Sequence, residues 1–234
     1  MYRLENVTKR YTRRGEEVVA FQAPELSIAA GEYVAIVGPS GSGKTTLLSL
    51  LGGMLAPTSG EVWLGDVPLY ARSVKERAQL RREQIGFVFQ SFNLVPYLTA
   101  LENVEVPLCL AGFSDEEQRT RATLLLEQLG LGDRLQHKPS ELSVGQQQRV
   151  ALARTLVHSP RIVLADEPTG NLDPTSRAAV LDAFRGLHQQ GVTIVLVTHD
   201  PVVAQQADRQ LTLQSGRLMS LQSPAAGDKD VDAA

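Results

Sequence analysis

The sequence predicts an α/β fold: a mostly parallel sheet with an antiparallel β flank and an inserted α-helical subdomain. Three observations carry this. Apolar runs that end in polar residues recur at Tyr33 to Val37, Ile85 to Phe89, Arg161 to Ala165 and Thr193 to Thr198, with stretches of helical period between them. Alternation of this kind builds parallel sheets whose crossover helices cover both faces, which is why the strands read as continuous apolar runs. The first thirty residues and Gly60 to Val67, with the turn Thr58-Ser59-Gly60, read instead as short strands joined by turns, suited to a small antiparallel flank. Between about 91 and 158 the pattern becomes helical. With 234 residues and 43% hydrophobic content the chain can bury a full α/β core as one large domain with lobes.

Along the chain, Tyr33 to Val37 runs into Gly38-Pro39-Ser40-Gly41-Ser42-Gly43-Lys44-Thr45, a full match to G-x-x-x-x-G-K-[ST], and a Leu-rich helix follows from Thr45 to Leu51. Strand, loop, helix is the order a phosphate-binding loop requires. Its glycines let backbone N–H groups converge on phosphate oxygens without Cβ clashes. Lys44 adds a fixed positive charge, Thr45 can offer its hydroxyl to Mg²⁺, and the helix points its positive dipole end at the same anion. Composition alone would also suit a plain Gly/Ser turn. Lys75 to Arg82 holds four basic residues, diluted by Glu76 and Glu83, and reads as a solvated helix face. Ser114-Asp115-Glu116-Glu117 is a capping box; Ala122, Leu125, Leu126 and Leu129 share one face of the helix it opens, and Gly130 is placed to stop it. Pro174 follows Asp173 as the first residue of another helix, with Val180, Phe184 and Leu187 on one face.

Ile162-Val163-Leu164-Ala165 delivers two adjacent carboxylates, Asp166 and Glu167, to its C-terminal end, the edge at which ligands of open α/β sheets bind. Asp166 can hold Mg²⁺, directly or through water, and Glu167 can orient or deprotonate an attacking water. Taken alone the two also read as a surface pair before a proline turn. Ser143 and Gln146 can form a further capping box, so Leu142-Ser143-Val144-Gly145-Gln146-Gln147-Gln148-Arg149 opens a helix with exposed N–H groups and a small hydroxyl, suited to a terminal phosphate. His137, His158 and His188 have no such placement and read as surface or locally satisfied residues.

The formal net charge of −3 and pI of about 5.8 supply no basic field for nucleic acid or anionic lipid, and no nucleic acid partner is expected. A single cysteine, Cys109, forms no internal disulfide and fits a reducing compartment. Met1-Tyr2-Arg3-Leu4-Glu5-Asn6 lacks the apolar core of a signal peptide and no run approaches 18 apolar residues, so a soluble chain is expected. Residues 223–234 are small, polar and acidic, and disorder is expected there.

The phosphate loop, the Asp-Glu pair and Leu142 to Arg149, in that order, closely resemble the motifs of ABC-type ATPases, and the resemblance runs from about residue 2 to 222. It implies a P-loop NTPase (RecA-like) core with its β flank at about 1–90 and 159–222, and a helical subdomain at about 91–158. By the same resemblance Gln90 is the Q-loop glutamine that reaches Mg²⁺, Asn171-Leu172-Asp173 is the D-loop, His199 is the switch histidine that helps Glu167, and Tyr11 stacks on adenine. It assigns Gly38, Pro39, Ser40, Gly41, Ser42, Gly43, Lys44, Thr45 and Thr46 to ATP. Ser143, Gly145, Gln146 and Asp173 go to ATP across a head-to-tail homodimer. Thr45, Gln90 and Asp166 are assigned to Mg²⁺, and Glu167 and His199 to catalysis. One departure is Val144, where the family usually has glycine; a β-branched residue tolerates positive φ poorly.

The family also implies a membrane permease partner, reached from the cytoplasmic face of the inner or plasma membrane, with a groove near Gln90 to Val104 to receive a cytoplasmic helix of that partner. That segment and Gly170 to Asp173 are most similar in wording to ATPases of lipoprotein-release and macrolide-export systems, which include a cell-division, mechanotransmission branch. An amino-acid-type importer ATPase is the alternative. A soluble ABC protein of translation or chromosome maintenance would need two fused units or a long coiled-coil insertion. The residues so assigned are expected to touch nucleotide or coupling surfaces and not a cargo.

Overall fold

A computed structural model of the chain describes residues 1–13, 15–170 and 172–222; Asn171 of the expected D-loop and the tail 223–234 lie outside the described residues. The strands are β1 (Tyr2–Arg13), β2 (Glu16–Ile28), β3 (Tyr33–Val37), β4 (Ser59–Leu64), β5 (Val67–Pro68), β6 (Ile85–Phe89), β7 (Ile162–Asp166), β8 (Thr193–Val197), β9 (Arg209–Gln214) and β10 (Arg217–Gln222). They form one 10-stranded sheet in the order β5-β4-β1-β2-β10-β9-β3-β8-β7-β6. From β9 to β6 every pairing is parallel, and β5, β4, β1 and β2 form the antiparallel flank.

The apolar runs become parallel strands because both of their faces are covered. Val34 and Ile36 of β3, Ile162 and Leu164 of β7, and Val195 and Val197 of β8 pack in one core, beside helix α1 (Lys44–Leu51). The alternate residues Tyr33, Ala35, Val163, Ala165, Ile194 and Leu196 pack on the other face, against Val180 and Phe184 of helix α6 (Pro174–Gln189). A third core joins helices α3 (Ala100–Leu110), α4 (Asp115–Gln128) and α5 (Val144–Leu156) through Leu101, Val104, Ala122, Leu126 and Val150. The capping boxes at Ser114 and Ser143 form, and Asp173 caps α6 with Pro174 at its first position. Gly130 takes φ +69° just past α4.

Three expectations need correction. The flank is not made of short strands: β1 and β2 are 12 and 13 residues long. Their outer ends are exposed on both faces and the pairing shifts register between Lys9 and Arg10, so no period-2 pattern advertises their length. The basic stretch lies on helix α2 (Val74–Gln84), which has no buried residue, yet it is more than a solvated face. Arg77 and Arg81 donate to the Gly53 carbonyl at 3.3 and 3.0 Å, placing cations at the C-terminal end of α1. His158 is neither a surface nor a satisfied residue. It is half-buried, neither ring nitrogen has a hydrogen-bond partner among the described residues, and burial pushes its pKa down, offset in part by the nearby Ile85 backbone.

Candidate active site

Parallel register brings distant residues to one sheet edge. Phe89 pairs with Asp166 and Asp166 with Val197, so Gln90, Asp166, Glu167 and His199 emerge together beside the loop that follows β3. A cavity of about 600 Å³ opens there, walled by Ser40, Gly41, Gly43, Lys44, Thr45 and Thr46 on one side and by Gln90, Asp166, Glu167 and His199 on the other. Gly38, Pro39 and Ser42 belong to the loop but not to the cavity wall.

The loop has the shape its residues predict. Gly43 takes φ +103°, and a Cβ there would lie 2.2 Å from the Ala20 carbonyl oxygen, so no other residue fits. Helix α1 makes a bond from the Leu47 N–H to the Gly43 carbonyl at 2.9 Å, which leaves the amides of Lys44, Thr45 and Thr46 without helical partners at the cavity. The Lys44 ammonium donates to the carbonyls of Gly38 and Pro39 at 2.7 and 2.9 Å, closing the loop on itself.

Opposite, the Thr45 hydroxyl donates to Asp166 Oδ2 at 2.8 Å. With Gln90 this makes a donor set of oxygen and amide groups, which suits a hard divalent cation such as Mg²⁺ better than a soft metal. Burial pushes the Asp166 carboxyl above the ordinary carboxylate value; the Thr45 hydrogen bond opposes this, the neighbouring Glu167 charge adds to it, and Lys44 opposes it. The folded protein thus keeps the Asp166 proton to higher pH than the unfolded chain, and the cost of ionising it grows as pH rises from the ordinary value through the raised one. Asp166→Asn, which keeps a partner for Thr45, is expected to raise the melting temperature of the nucleotide-free protein at pH 7. The gain should shrink as pH falls through that window, while turnover is lost. Equal melting temperatures at pH 7 would contradict it.

Glu167 takes φ +47°, a left-handed conformation that costs a non-glycine residue about 1–3 kcal/mol and collects at functional sites. Its N–H is held by the Val197 carbonyl at 3.0 Å and its Oε1 meets His199 Nδ1 at 2.8 Å. The Glu167 side chain is 15% exposed and that of His199 71%.

Other expected site residues lie elsewhere. Tyr11 is exposed and outside the cavity, but its cross-strand partner Val18 is in the wall, so the ring stands one strand beyond it. Ser143, Gly145 and Gln146 at the start of α5, and Asp173 at the start of α6, do not line the cavity. They meet each other: a Cβ on Gly145 would lie 1.9 Å from Ser176 Oγ and 3.6 Å from Asp173 Oδ2. Ser143 is exposed. Val144 is the first residue of α5, outside the positive-φ residues of the chain, so its side chain is accommodated without backbone strain. Val144→Gly is therefore expected to cost at most about 1 kcal/mol and to preserve turnover, whereas Gly145→Val should push α5 off Ser176 and lower both stability and turnover. Urea unfolding and phosphate release measure the pair; a neutral Gly145→Val would refute it.

Two features escaped the sequence. Val18, Val19 and Ala20 wall the cavity with no motif to mark them. Gln148 is fully buried and donates to the Pro168 carbonyl at 2.6 Å, tying α5 to the turn after Glu167; a polar residue on the apolar face of α5 was its only signal.

A family model described as ABC transporter matches residues 21–170. The chain belongs to the ABC transporter family. It is the ATP-binding cassette of that family, an ATPase of P-loop fold. The cassette is 47% identical to the ABC transporter ATP-binding protein YvrO of Bacillus subtilis, over 94% of this chain and 96% of that one. It is 48% identical to the lipoprotein-releasing system ATP-binding protein LolD of Legionella pneumophila, over 90% and 93%. It is also 48% identical to the macrolide export ATP-binding/permease protein MacB of Brucella melitensis, over 94% of this chain but only 34% of that longer protein. The solved dimer of the ATP-binding cassette MJ0796 in a post-hydrolysis state with ADP and Pi superposes with a TM-score of 0.90 at 43% identity, covering 95% of this chain and 98% of that one. Among the described residues no helix is long and apolar enough to cross a membrane.

Proposed function

We propose that two copies of this chain close head to tail around ATP and that hydrolysis drives movement of an integral membrane partner, of lipoprotein-release, export or mechanotransmission type. The observation that carries the reading is the strained Glu167 meeting His199 at 2.8 Å beside the phosphate loop. The amides of Lys44, Thr45 and Thr46 and the Lys44 charge bind the phosphates, and Tyr11 meets the adenine beyond Val18. Thr45, Asp166 and Gln90 would hold Mg²⁺, which would supply charge neutralisation on the phosphates. Glu167 takes the proton of the attacking water, and His199 holds the carboxylate in place at Oε1.

Ser143, Gly145, Gln146 and Asp173 lie off the cavity of their own chain, which supports their serving the nucleotide of the second subunit. The division into a core with its flank (about 1–90 and 159–222) and a helical subdomain (about 91–158) places the phosphate loop and Ser143 on separate bodies. The segment after Gln90 offers the membrane partner an exposed Tyr97 and Val95. Buried Asn103 holds that segment in shape through Val95, Leu98 and Thr99. The likeness to LolD and MacB supports a release or export system, with the chain peripheral on the cytoplasmic face through its partner.

Purification from membranes tests this. A co-eluting permease with a large extracytoplasmic domain is the expected result, and a solute-binding protein would replace it by the importer reading. A chain confined to the cytosol and monomeric with ATP would refute both.

A further inference from the structure

We propose that Arg177 is a positioning residue for hydrolysis, acting through an ion pair with Asp200 that ties the His199 loop to the first turn of α6; this rests on the ATPase mechanism above. Arg177 Nη1 lies 2.7 Å from Asp200 Oδ2, and the two side chains are only 37% and 23% exposed, sheltered more than an ordinary surface pair. The guanidinium Nε is buried without a partner among the described residues, so the contact with Asp200 is a hydrogen bond this side chain can ill lose.

Asp200 is gripped from three directions. Its N–H donates to Thr198 Oγ1 at 3.0 Å, its Oδ1 accepts the Val202 N–H at 2.9 Å, and Arg177 closes the third side. His199, the residue before it, has an exposed ring whose only protein hydrogen bond among the described residues is to Glu167. An imidazole so placed keeps its bearing on Glu167 through its backbone, and the backbone is fixed by Asp200.

The other end of the link is equally defined. Arg177 donates its N–H to the Asp173 carbonyl at 2.9 Å, within the turn that Asp173 caps, and Gly145 packs against Ser176 of the same turn. A shift of the start of α5 therefore presses on the turn that carries Arg177. In a head-to-tail dimer α5 serves the nucleotide of the second subunit while His199 serves its own. The pair Arg177–Asp200 is then the path within one chain by which closure on one nucleotide sets the histidine on the other.

The test is a set of variants in wild-type and His199→Ala backgrounds, read by steady-state kcat and KM for ATP and by single-turnover hydrolysis. Arg177→Gln and Asp200→Asn, the latter keeping an N-cap for Val202, are each expected to lower kcat about 10- to 100-fold with KM unchanged. Arg177→Lys should recover most of the loss, and the double variant should be no worse than either single one. In the His199→Ala background neither substitution should slow the residual rate further. A wild-type kcat in Arg177→Gln, or an equal fold loss with and without His199, overturns the proposal. Should Arg177→Gln unfold, Asp200→Asn and Arg177→Lys carry the same comparison. Should His199→Ala hydrolyse ATP as wild type, the role of His199 above fails and this proposal with it, whereas wild-type kcat in Arg177→Gln and Asp200→Asn beside a slow His199→Ala would overturn this proposal alone and spare the rest of the mechanism.

Discussion

Glu167→Gln is expected to lower kcat for ATP hydrolysis by about 10²- to 10⁴-fold, the usual contribution of a positioned general base, and to make an ATP-dependent dimer accumulate in gel filtration. The substitution keeps the shape of the side chain and a polar atom for His199, and it removes the capacity to take a proton together with the negative charge beside Asp166. Gln bears the left-handed backbone at φ +47° no better and no worse than Glu, so the substitution leaves the backbone strain unchanged. Slow chemistry with intact ATP binding is what traps the closed state. A variant with unchanged turnover, or one that stays monomeric with ATP, would remove Glu167 from its proposed place.

Lys44→Ala should cost about 10²- to 10³-fold in kcat/KM, comparable with loss of a preorganised donor to developing phosphate charge. Two effects act in the same direction. The cation facing the phosphates disappears, and the loop loses the bonds from Lys44 Nζ to the Gly38 and Pro39 carbonyls that hold its mouth in shape. The rest of the loop does not depend on Lys44: Gly43 stays wedged against Ala20, and Thr45 stays bonded to Asp166. Melting temperature without nucleotide should therefore stay near wild type, while a fluorescent ATP analogue binds more weakly. Unchanged affinity and turnover would reject the phosphate-loop assignment.

Much of the fold was legible because its cues are local. An apolar run of about five residues set between stretches of helical period reads as a strand of a covered parallel sheet, and β3, β6, β7 and β8 stand within a residue of where their runs predicted them. Ser114, Ser143 and Asp173 announced the starts of their helices because a cap and its amide lie within three residues of each other. The flank was less legible, since the outer halves of β1 and β2 have no buried side to impose alternation. His158 escapes the sequence for a related reason: its burial just past the end of α5 involves Ile85 of β6, far away in sequence, and nothing beside the residue reports it.

What the sequence by itself determined is the chemistry available: a phosphate-binding loop, two carboxylates at a strand end, and a capped helix bearing Ser143. These rest on contacts over a few residues, where backbone geometry and side-chain type settle the outcome together. Only the tertiary structure decided which of them meet. Register across β6, β7 and β8 set Gln90, Asp166 and Glu167 opposite the loop, and the hairpin of the flank brought Ala20 against Gly43. It also left Ser143 outside the cavity, gave Val144 an unstrained helical place, and joined Arg177 to Asp200 across 23 residues. Such pairings depend on how whole elements pack, and no local pattern encodes the packing of a partner element.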